Sequence, residues 1–259
     1  NAGPGGGEGS GGIAVQAVVP DRCAWPAVGL SVSPGADPTN PPGRSASRAA
    51  AGLQKVIDVA HEMGVTSNLK PFTSLTLGTE GVSPLDMASA YSVFAARGVQ
   101  YASTPIMKVT DANGRVLEDN TKRQGKRVLA EAVADNVTDA LKGVINGGTG
   151  AGAGIGRPEG SAGKTGSTEN NADAWFVGYT PALSTAIWMG YSDTNQKSLK
   201  NIRGVSTVYG GTIPASTWKD YMGQALKNAP VADFPKPAAL SGDIGAGPRR
   251  ALEDLRPQT

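Results

Sequence analysis

The chain has 259 residues, enough to bury one sizeable core or two small ones, and a formal net charge of only +2. So small a charge argues against nucleic acid as the main partner, and the single cysteine, Cys23, excludes an intrachain disulfide. No apolar run approaches the ~20 residues of a membrane-spanning helix, so no span is predicted within this chain.

Residues 1–52 are unusually rich in residues that interrupt helices and strands. They hold 11 of the 36 glycines and 7 of the 18 prolines in the chain. The run "SPGADPTNPPGRS" cannot continue any regular element. We therefore expect residues 1–52 to be mostly unstructured. Because the chain begins with Asn1 and carries no signal peptide, we also expect it to be a piece of a longer protein.

Two helices are predicted next. Apolar residues recur at helical spacing from Leu53 to Met63, and Gly64 ends the run. The only histidine, His61, lies on this helix without a second ligand nearby, so a surface or capping role is favoured over metal binding. The second helix starts at Ser83-Pro84-Leu85-Asp86, with proline at the first position and a carboxylate at the third. Its apolar face is predicted to comprise Met87, Ala90, Tyr91 and Phe94.

The middle of the chain predicts a hairpin followed by a helix. Asn113-Gly114 lies between two strand-like runs and is typical of a tight hairpin turn. A helix follows, with Val133, Val137, Leu141 and Val144 on one face, and Gly147-Gly148 ends it.

The segment Gly163-Lys164-Thr165 resembles the end of a phosphate-binding loop, but its context argues against that function. The first glycine of such a loop would fall at Pro158, which has no N–H to offer a phosphate. No helix is predicted after it. Instead, "ADAWFVGY" and "STAIWMGY" are rich in aromatic and β-branched residues and predict a second hairpin. The concentrated aromatics indicate packing on helices rather than a nucleic-acid platform, because no basic residue is interleaved.

The last predicted helix begins at Pro214 and has Trp218, Met222 and Leu226 on one side. From Pro235 onward the chain is rich in proline, glycine and charge. The predicted organisation is therefore an irregular segment at 1–52, one folded unit at 53–234 and a disordered tail at 235–259.

The run "AGKTGSTENNADAWFVGYTPALSTAIWMGY" resembles the transpeptidase domain of class A, or bifunctional, penicillin-binding proteins of actinobacterial type. The upstream stretches "SLTLGTEGVSPLDMASAYSVFAARGV", "VTDANGRVLE" and "VINGGTGAGAG" and the downstream stretches "VYGGTIPASTWKDYMGQAL" and "FPKP" are similar to the same family, in order. The resemblance covers about residues 53–237. It implies an α+β fold, an antiparallel sheet with helices on its faces. About three of the family's five sheet strands are expected here, with the N-terminal part of the domain missing.

The resemblance implies peptidoglycan D,D-transpeptidation. In that reaction a serine attacks the penultimate D-Ala carbonyl of a stem peptide, D-Ala leaves, and an amine of a neighbouring strand resolves the acyl-enzyme. Lys164, Thr165 and Gly166 are expected on a strand at the edge of the antiparallel sheet. Lys164 is the implied catalytic residue, and the implied substrate-binding residues are Lys164, Thr165, Gly166, Ser167 and Thr168. The implied partners are stem peptides ending in D-Ala-D-Ala and β-lactams. No metal or organic cofactor is implied, and the location is the extracytoplasmic face of the bacterial membrane. Asp173 is expected to be polar framework beside the site.

The family has three motifs: a Ser-x-x-Lys that carries the nucleophile, a Ser-x-Asn and a Lys-Thr-Gly. Only the last is recognisable here, at Lys164-Thr165-Gly166. No Ser-x-Asn occurs in the chain, and the Ser-x-x-Lys at Ser67-Asn68-Leu69-Lys70 follows a helix end and precedes Pro71, whereas the nucleophile needs the start of a buried helix. We hypothesise that residues 13–52 are translated out of frame. Because a helix and two strands of the family would precede Asn1, we expect the aromatic hairpin and the helix bearing Tyr91 to lose part of their cover.

Three hypotheses remain open from the sequence. The chain is the C-terminal part of a transpeptidase domain, inactive by itself, or it belongs to a related serine hydrolase such as a β-lactamase or a D,D-carboxypeptidase. The third possibility is a non-catalytic binding remnant. The hairpin "VTDANGRVLE" and the ending "GGTIPASTWKDYM" favour the first.

Overall fold

The structure is a computed structural model that describes residues 11–18, 46–191, 194 and 196–238. In chain order the helices and strands are β1 (Gly11–Val18), α1 (Ala46–Glu62), α2 (Pro84–Ala95), β2 (Val99–Gln100), β3 (Lys108–Thr110), β4 (Val116–Asp119), β5 (Lys126–Arg127), α3 (Glu131–Ile145), β6 (Ala162–Ser167), β7 (Ala174–Tyr179), β8 (Ser184–Tyr191), β9 (Lys200–Ile202), β10 (Val205–Thr207) and α4 (Ile213–Ala225). Short 3₁₀ turns lie at Thr73–Leu77, Ala151–Ala153 and Glu169–Asn171.

The main sheet has four antiparallel strands in the order β1-β8-β7-β6. Three two-stranded ribbons, β3-β4, β2-β5 and β9-β10, lie outside it. Helices pack on both faces of the sheet, because side chains alternate between the faces along each strand. On one face Val177 and Tyr179 pack with α2 and α3, and on the other Phe176 packs with Trp218 of α4. The predicted α+β architecture is confirmed.

Strand β1 differs from the expectation for residues 1–52. It pairs with β8 along its whole length, from Gly11 opposite Tyr191 to Val18 opposite Ser184. The run "GGIAVQAV" contains no proline and no charge, and its pairing satisfies backbone groups of β8 that an open edge would leave without partners. The described part of the sheet therefore has four strands, one more than expected. Helix α1 likewise begins at Ala46 rather than Leu53. The predictions for residues 1–10 and 19–45 and for the tail at 239–259 lie outside the described residues.

Helix α2 has the predicted start but a different environment. The Ser83 side chain accepts a hydrogen bond from the Asp86 backbone, and the Asp86 side chain accepts one from the Ser83 backbone, which forms a capping box. Every residue from Asp86 to Ala95 is buried, not one face alone. The helix is enclosed because it contacts β1, β2, β7, β8 and α3.

The expected loss of cover over the aromatic residues is wrong for this structure. Tyr91 and Tyr179 are fully buried and their ring centroids are 5.9 Å apart, while Phe94 is 5% exposed. Phe234 closes this cluster, with its ring 5.4 Å from that of Tyr179. The described residues supply a closed aromatic core between α2 and the sheet.

The other helices and the hairpins follow the sequence with one shift. In α1, Leu53, Ile57 and Ala60 are buried, as is Met63 just after it, but Val56 of the same apolar run is 43% exposed. In α4, Trp218 and Met222 are buried, as is Leu226 just after it. In α3 the buried positions are Ala134, Asp135, Thr138 and Ile145, whereas Val133 is 40% exposed, so the buried stripe lies one position from the predicted one. The Asn113-Gly114 turn joins β3 to β4, and its Gly114 has a positive φ of 81°. Among the described residues no helix is long and apolar enough to cross a bilayer.

Candidate functional site

The Lys-Thr-Gly motif lies on β6, at one edge of the described sheet. Lys164 is opposite Val177 and Gly166 is opposite Trp175 in the pairing with β7. Gly163 is required there, since a Cβ at this position would lie 2.8 Å from the Val177 carbonyl oxygen. On its other side β6 pairs with no described strand. The sequence predicted this edge position.

Lys164 is half-buried on the face of the sheet that packs against α2 and α3. Burial lowers the pKa of its ammonium below the ordinary lysine value. Its Nζ donates a hydrogen bond to the Thr165 carbonyl oxygen at 2.9 Å. Among the described carboxylates, none lies within ion-pair distance of Nζ. The cation is therefore partly desolvated and lacks a described counter-ion, which favours an anionic ligand.

Thr165 and Ser167 project from the opposite face of β6, as alternation along a strand requires. The Thr165 and Thr149 hydroxyl oxygens lie 2.7 Å apart and share a hydrogen bond. The Ser167 Oγ accepts a hydrogen bond from the Gly210 N–H at 3.1 Å. Both hydroxyls are thus held by residues from other loops.

Thr168 and Asp173 close the turn between β6 and β7. The Asp173 N–H donates to Thr168 Oγ1 at 2.8 Å, and the Thr168 N–H donates to the Asp173 carbonyl oxygen at 3.1 Å. The Asp173 carboxylate accepts a hydrogen bond from Trp188 Nε1 at 2.8 Å. Asp173 therefore has the framework role that the sequence predicted, and the Thr168 hydroxyl is already used as a turn acceptor.

Ser67 lies in a loop after α1, where its hydroxyl donates to the buried carboxylate of Asp86. Its backbone N–H donates to the same carboxylate at 3.2 Å. The side chain therefore caps α2. Although burial would raise the pKa of Asp86, its hydrogen bonds hold that pKa below the ordinary value, so the carboxylate is a weak base for activating Ser67. This environment agrees with the prediction that Ser67 is not a nucleophile.

Two further Ser-x-x-Lys spacings escaped the sequence analysis. Ser161 precedes Lys164 by three residues, but the Ser161 hydroxyl is buried and donates to the Arg157 carbonyl oxygen at 2.7 Å. Residues three apart along a strand point to opposite faces. Ser216 and Lys219 are neighbours on α4, yet both are solvent-exposed, and Ser216 donates to a carbonyl of its own helix at 3.0 Å. Neither pair has the buried helix start that an acylated serine needs.

Thr149 and Gly210 are the contacts of β6 that the sequence analysis did not identify. Each lies in a glycine-rich turn, "GGTG" before β6 and "YGG" before α4, and these turns are the signal that could have drawn attention to them.

No group of three or more potential ligands for a metal occurs among the described residues. His61 has the capping role expected of it, with Nδ1 2.8 Å from the Val65 carbonyl oxygen. Cys23 lies outside the described residues.

The comparison with known proteins covers most of the chain. The family model for the penicillin binding protein transpeptidase domain matches residues 51–223. Penicillin-binding protein 1A of Mycolicibacterium smegmatis is 38% identical in a 214-residue alignment that covers 75% of this chain and 27% of that protein. Penicillin-binding protein 1A of Mycobacterium tuberculosis is 36% identical in a 215-residue alignment that covers 75% of this chain and 26% of that protein. The chain thus spans about a quarter of the length of these curated relatives.

Solved structures show the same relationship. PonA1 of Mycobacterium tuberculosis in complex with penicillin V has a TM-score of 0.66 and 36% identity, over 73% of this chain and 54% of that one. A second PonA1 structure has a TM-score of 0.71 and 27% identity, over 89% of this chain and 81% of that one. The chain belongs to the family of penicillin-binding protein transpeptidase domains, of the type found in penicillin-binding protein 1A.

Proposed function

We propose that this chain is part of a peptidoglycan D,D-transpeptidase domain, in which β6 receives the end of a stem peptide that terminates in D-Ala-D-Ala. The observation that carries the proposal is Lys164, a half-buried cation without a described counter-ion on an edge strand. A peptide that ends in a carboxylate matches both features. Its backbone can pair with the strand edge, and its charge interacts with the ammonium.

The residues of β6 have distinct roles in this proposal. Lys164 stabilises negative charge on the ligand and assists proton transfer at the reacting centre. The Thr165 and Ser167 hydroxyls donate to ligand oxygens. Gly166 carries no side chain, so no side chain at this position keeps the ligand backbone away from the strand. Thr168 acts mainly through the turn that it stabilises.

The same surface would accept β-lactams, whose carboxylate and carbonyl mimic the D-Ala-D-Ala end. The PonA1 structure with penicillin V supports this proposal, because that protein is 36% identical to this chain. The extracytoplasmic face of the bacterial membrane is the proposed location, since cell-wall stem peptides are cross-linked there.

Acylation by this chain alone is not part of the proposal. The three Ser-x-x-Lys spacings at Ser67, Ser161 and Ser216 each lack the required environment, and the sequence has no Ser-x-Asn. We propose that the chain supplies the ligand-binding edge but not the nucleophile. A β-lactamase or D,D-carboxypeptidase would need that nucleophile as well, so a binding remnant is the second candidate.

Binding can be tested directly on the 259-residue chain. We expect N-acetyl-D-Ala-D-Ala to shift the amide NMR signals of residues 164–168, with N-acetyl-L-Ala-L-Ala as the control of opposite chirality. Lys164→Met should abolish the shifts, whereas Lys219→Met on the exposed surface of α4 should leave them unchanged. Equal shifts with both dipeptides, or none with either, would refute the proposal.

A further inference from the structure

Two contacts from outside the sheet act on the hydroxyls of β6. One is the Thr149–Thr165 hydroxyl pair at 2.7 Å, and the other is the Gly210 N–H that donates to Ser167 Oγ at 3.1 Å. The contacts come from different parts of the chain. Thr149 is in the connection between α3 and β6, whereas Gly210 is in the turn between β10 and α4. Both act on the face of β6 that is opposite to Lys164.

The backbone that follows Thr149 is fixed against the end of α3 and the sheet. The Gly150 N–H donates to the Val144 carbonyl oxygen at 2.9 Å and so ties the loop to the end of α3. A Cβ at Gly150 would lie only 2.8 Å from Cε2 of Phe176, so the loop backbone lies directly on this core ring. Although the Thr149 side chain is exposed, its position is therefore set by buried neighbours.

The Gly210-Gly211 turn lies between β6 and the Thr149 loop. A Cβ at Gly210 would be 2.8 Å from the Gly166 carbonyl oxygen on β6 and 2.2 Å from the Trp175 carbonyl oxygen on β7. A Cβ at Gly211 would be 2.2 Å from the Thr149 carbonyl oxygen. Real Cβ atoms do not approach other atoms so closely, so both positions need glycine. This turn therefore contacts the two elements whose hydroxyls it helps to orient.

The direction of the hydrogen bonds matters for a ligand. A backbone N–H can only donate, so the Gly210 N–H occupies a lone pair of Ser167 Oγ and leaves the Ser167 hydrogen free to donate elsewhere. When Thr149 donates to Thr165, the Thr165 hydrogen is free in the same way. Both hydroxyls then present hydrogens, which suits a carboxylate or carbonyl oxygen.

We propose that Thr149 and Gly210 are positioning residues for the ligand site on β6. They fix the Thr165 and Ser167 hydroxyls so that each donates to the ligand, and neither residue reacts with it. The inference rests on the proposed function for its ligand, but the orientation of the two side chains can be measured without any ligand.

The first test measures the χ1 rotamer of Thr165 from three-bond NMR couplings in the unliganded chain. We expect one staggered rotamer in the wild type and in Thr149→Ser, which keeps the hydroxyl, and averaged couplings in Thr149→Val, which removes it at nearly equal volume. Wild-type couplings in Thr149→Val would overturn the inference for this pair.

The second contact is tested through the Gly210 amide. Gly210→Ala should average the Ser167 rotamer, while Gly143→Ala, whose added Cβ on α3 meets nothing within 4 Å, is the matched control. If Gly210→Ala does not fold, Ser167→Ala removes the acceptor instead. Exchange of the Gly210 amide should then rise roughly 2- to 10-fold, the factor for one lost hydrogen bond. Unchanged exchange would overturn the inference for Gly210.

The third test uses N-acetyl-D-Ala-D-Ala and separates the inference from the proposed function. We expect Thr149→Val to weaken binding by about 2- to 10-fold and Thr149→Ser to keep it within about 2-fold. Equal binding by wild type and Thr149→Val would overturn the positioning role. If the rotamers change as expected but the wild type binds no dipeptide, the positioning contacts stand and the proposed function fails.

Discussion

The Ser67 hydroxyl donates a hydrogen bond to the carboxylate of Asp86, the third residue of α2. Thr66 donates to the same carboxylate from its N–H and its hydroxyl, each at 2.8 Å. Burial would raise the pKa of Asp86, but the hydrogen bonds from Ser67, Thr66 and Ser83 outweigh it, so the pKa lies below its ordinary value of 3.8. This cluster joins the loop after α1 to the start of α2.

Asp86→Asn should therefore lower the free energy of unfolding by about 1–3 kcal/mol at pH 7, because an amide cannot accept all of these bonds. The lowered pKa means that the unfolded chain binds more protons than the folded chain as pH falls below about 4. The stabilisation by Asp86 is fully present above its ordinary pKa, and it is lost as the pH falls through the lower pKa that Asp86 has in the folded chain. Urea unfolding at several pH values tests this, and a difference between variant and wild type that is the same at pH 2 and pH 7 would contradict it.

The same contact predicts the chemistry of Ser67. Incubation of the chain with penicillin V should give no stable covalent adduct, because the Ser67 hydroxyl is directed at Asp86 and no described lysine activates it. Intact-mass spectrometry is the measurement. A stoichiometric adduct that disappears in Ser67→Ala would show that the loop serine is the nucleophile after all.

A third prediction concerns the aromatic core. Tyr179 donates to the Thr138 hydroxyl at 3.0 Å, and both side chains are buried. Tyr179→Phe should lower the free energy of unfolding by about 1–3 kcal/mol, because it leaves the Thr138 hydroxyl buried without this partner. The double variant Tyr179→Phe/Thr138→Val should lose less than the sum of the two single variants. Additive losses in thermal or urea unfolding would mean that the bond contributes nothing.

Lys164 should reduce the stability of the fold that carries it. Burial lowers the pKa of Lys164 in the folded chain below the ordinary value of 10.5. Between these two pKa values the unfolded chain binds more protons than the folded chain, so the free energy of unfolding rises with pH in that interval. Lys164→Met should raise the Tm at pH 7, and the gain should shrink as pH approaches 11. Lys219→Met, on the exposed surface of α4, is the control. A Tm for Lys164→Met at or below that of wild type would refute the assigned desolvation.

Local signals predicted the parts of the fold that depend on neighbours in sequence. The capping box at Ser83 and Asp86 and the turn at Gly114 were predicted because each is completed within four residues. The position of Lys164 on an edge strand followed from the flanking hairpin pattern together with the family resemblance. The capping box and the turn need no knowledge of the rest of the chain.

Features that depend on distant residues were missed. The Thr149–Thr165 contact spans 16 residues and the Gly210–Ser167 contact spans 43, and no periodicity connects their partners. Strand β1 was missed because glycine and proline counts over 1–52 hid a short run without proline. The complete burial of α2 was missed because it depends on β1 and β8 as well as on the helix itself.

The central claim, that Lys164 on β6 is the charged centre of the ligand site, is tested most directly by penicillin acylation in a chimera. Residues 51–223 would replace the matching part of penicillin-binding protein 1A from Mycolicibacterium smegmatis, to which the chain is 38% identical. Acylation by a fluorescent penicillin should fall about 10²- to 10³-fold in Lys164→Ala, as for loss of a charged donor in a site. Lys70→Ala, in an exposed loop, should change it little. Equal losses in the two variants, or none in Lys164→Ala, would contradict the account.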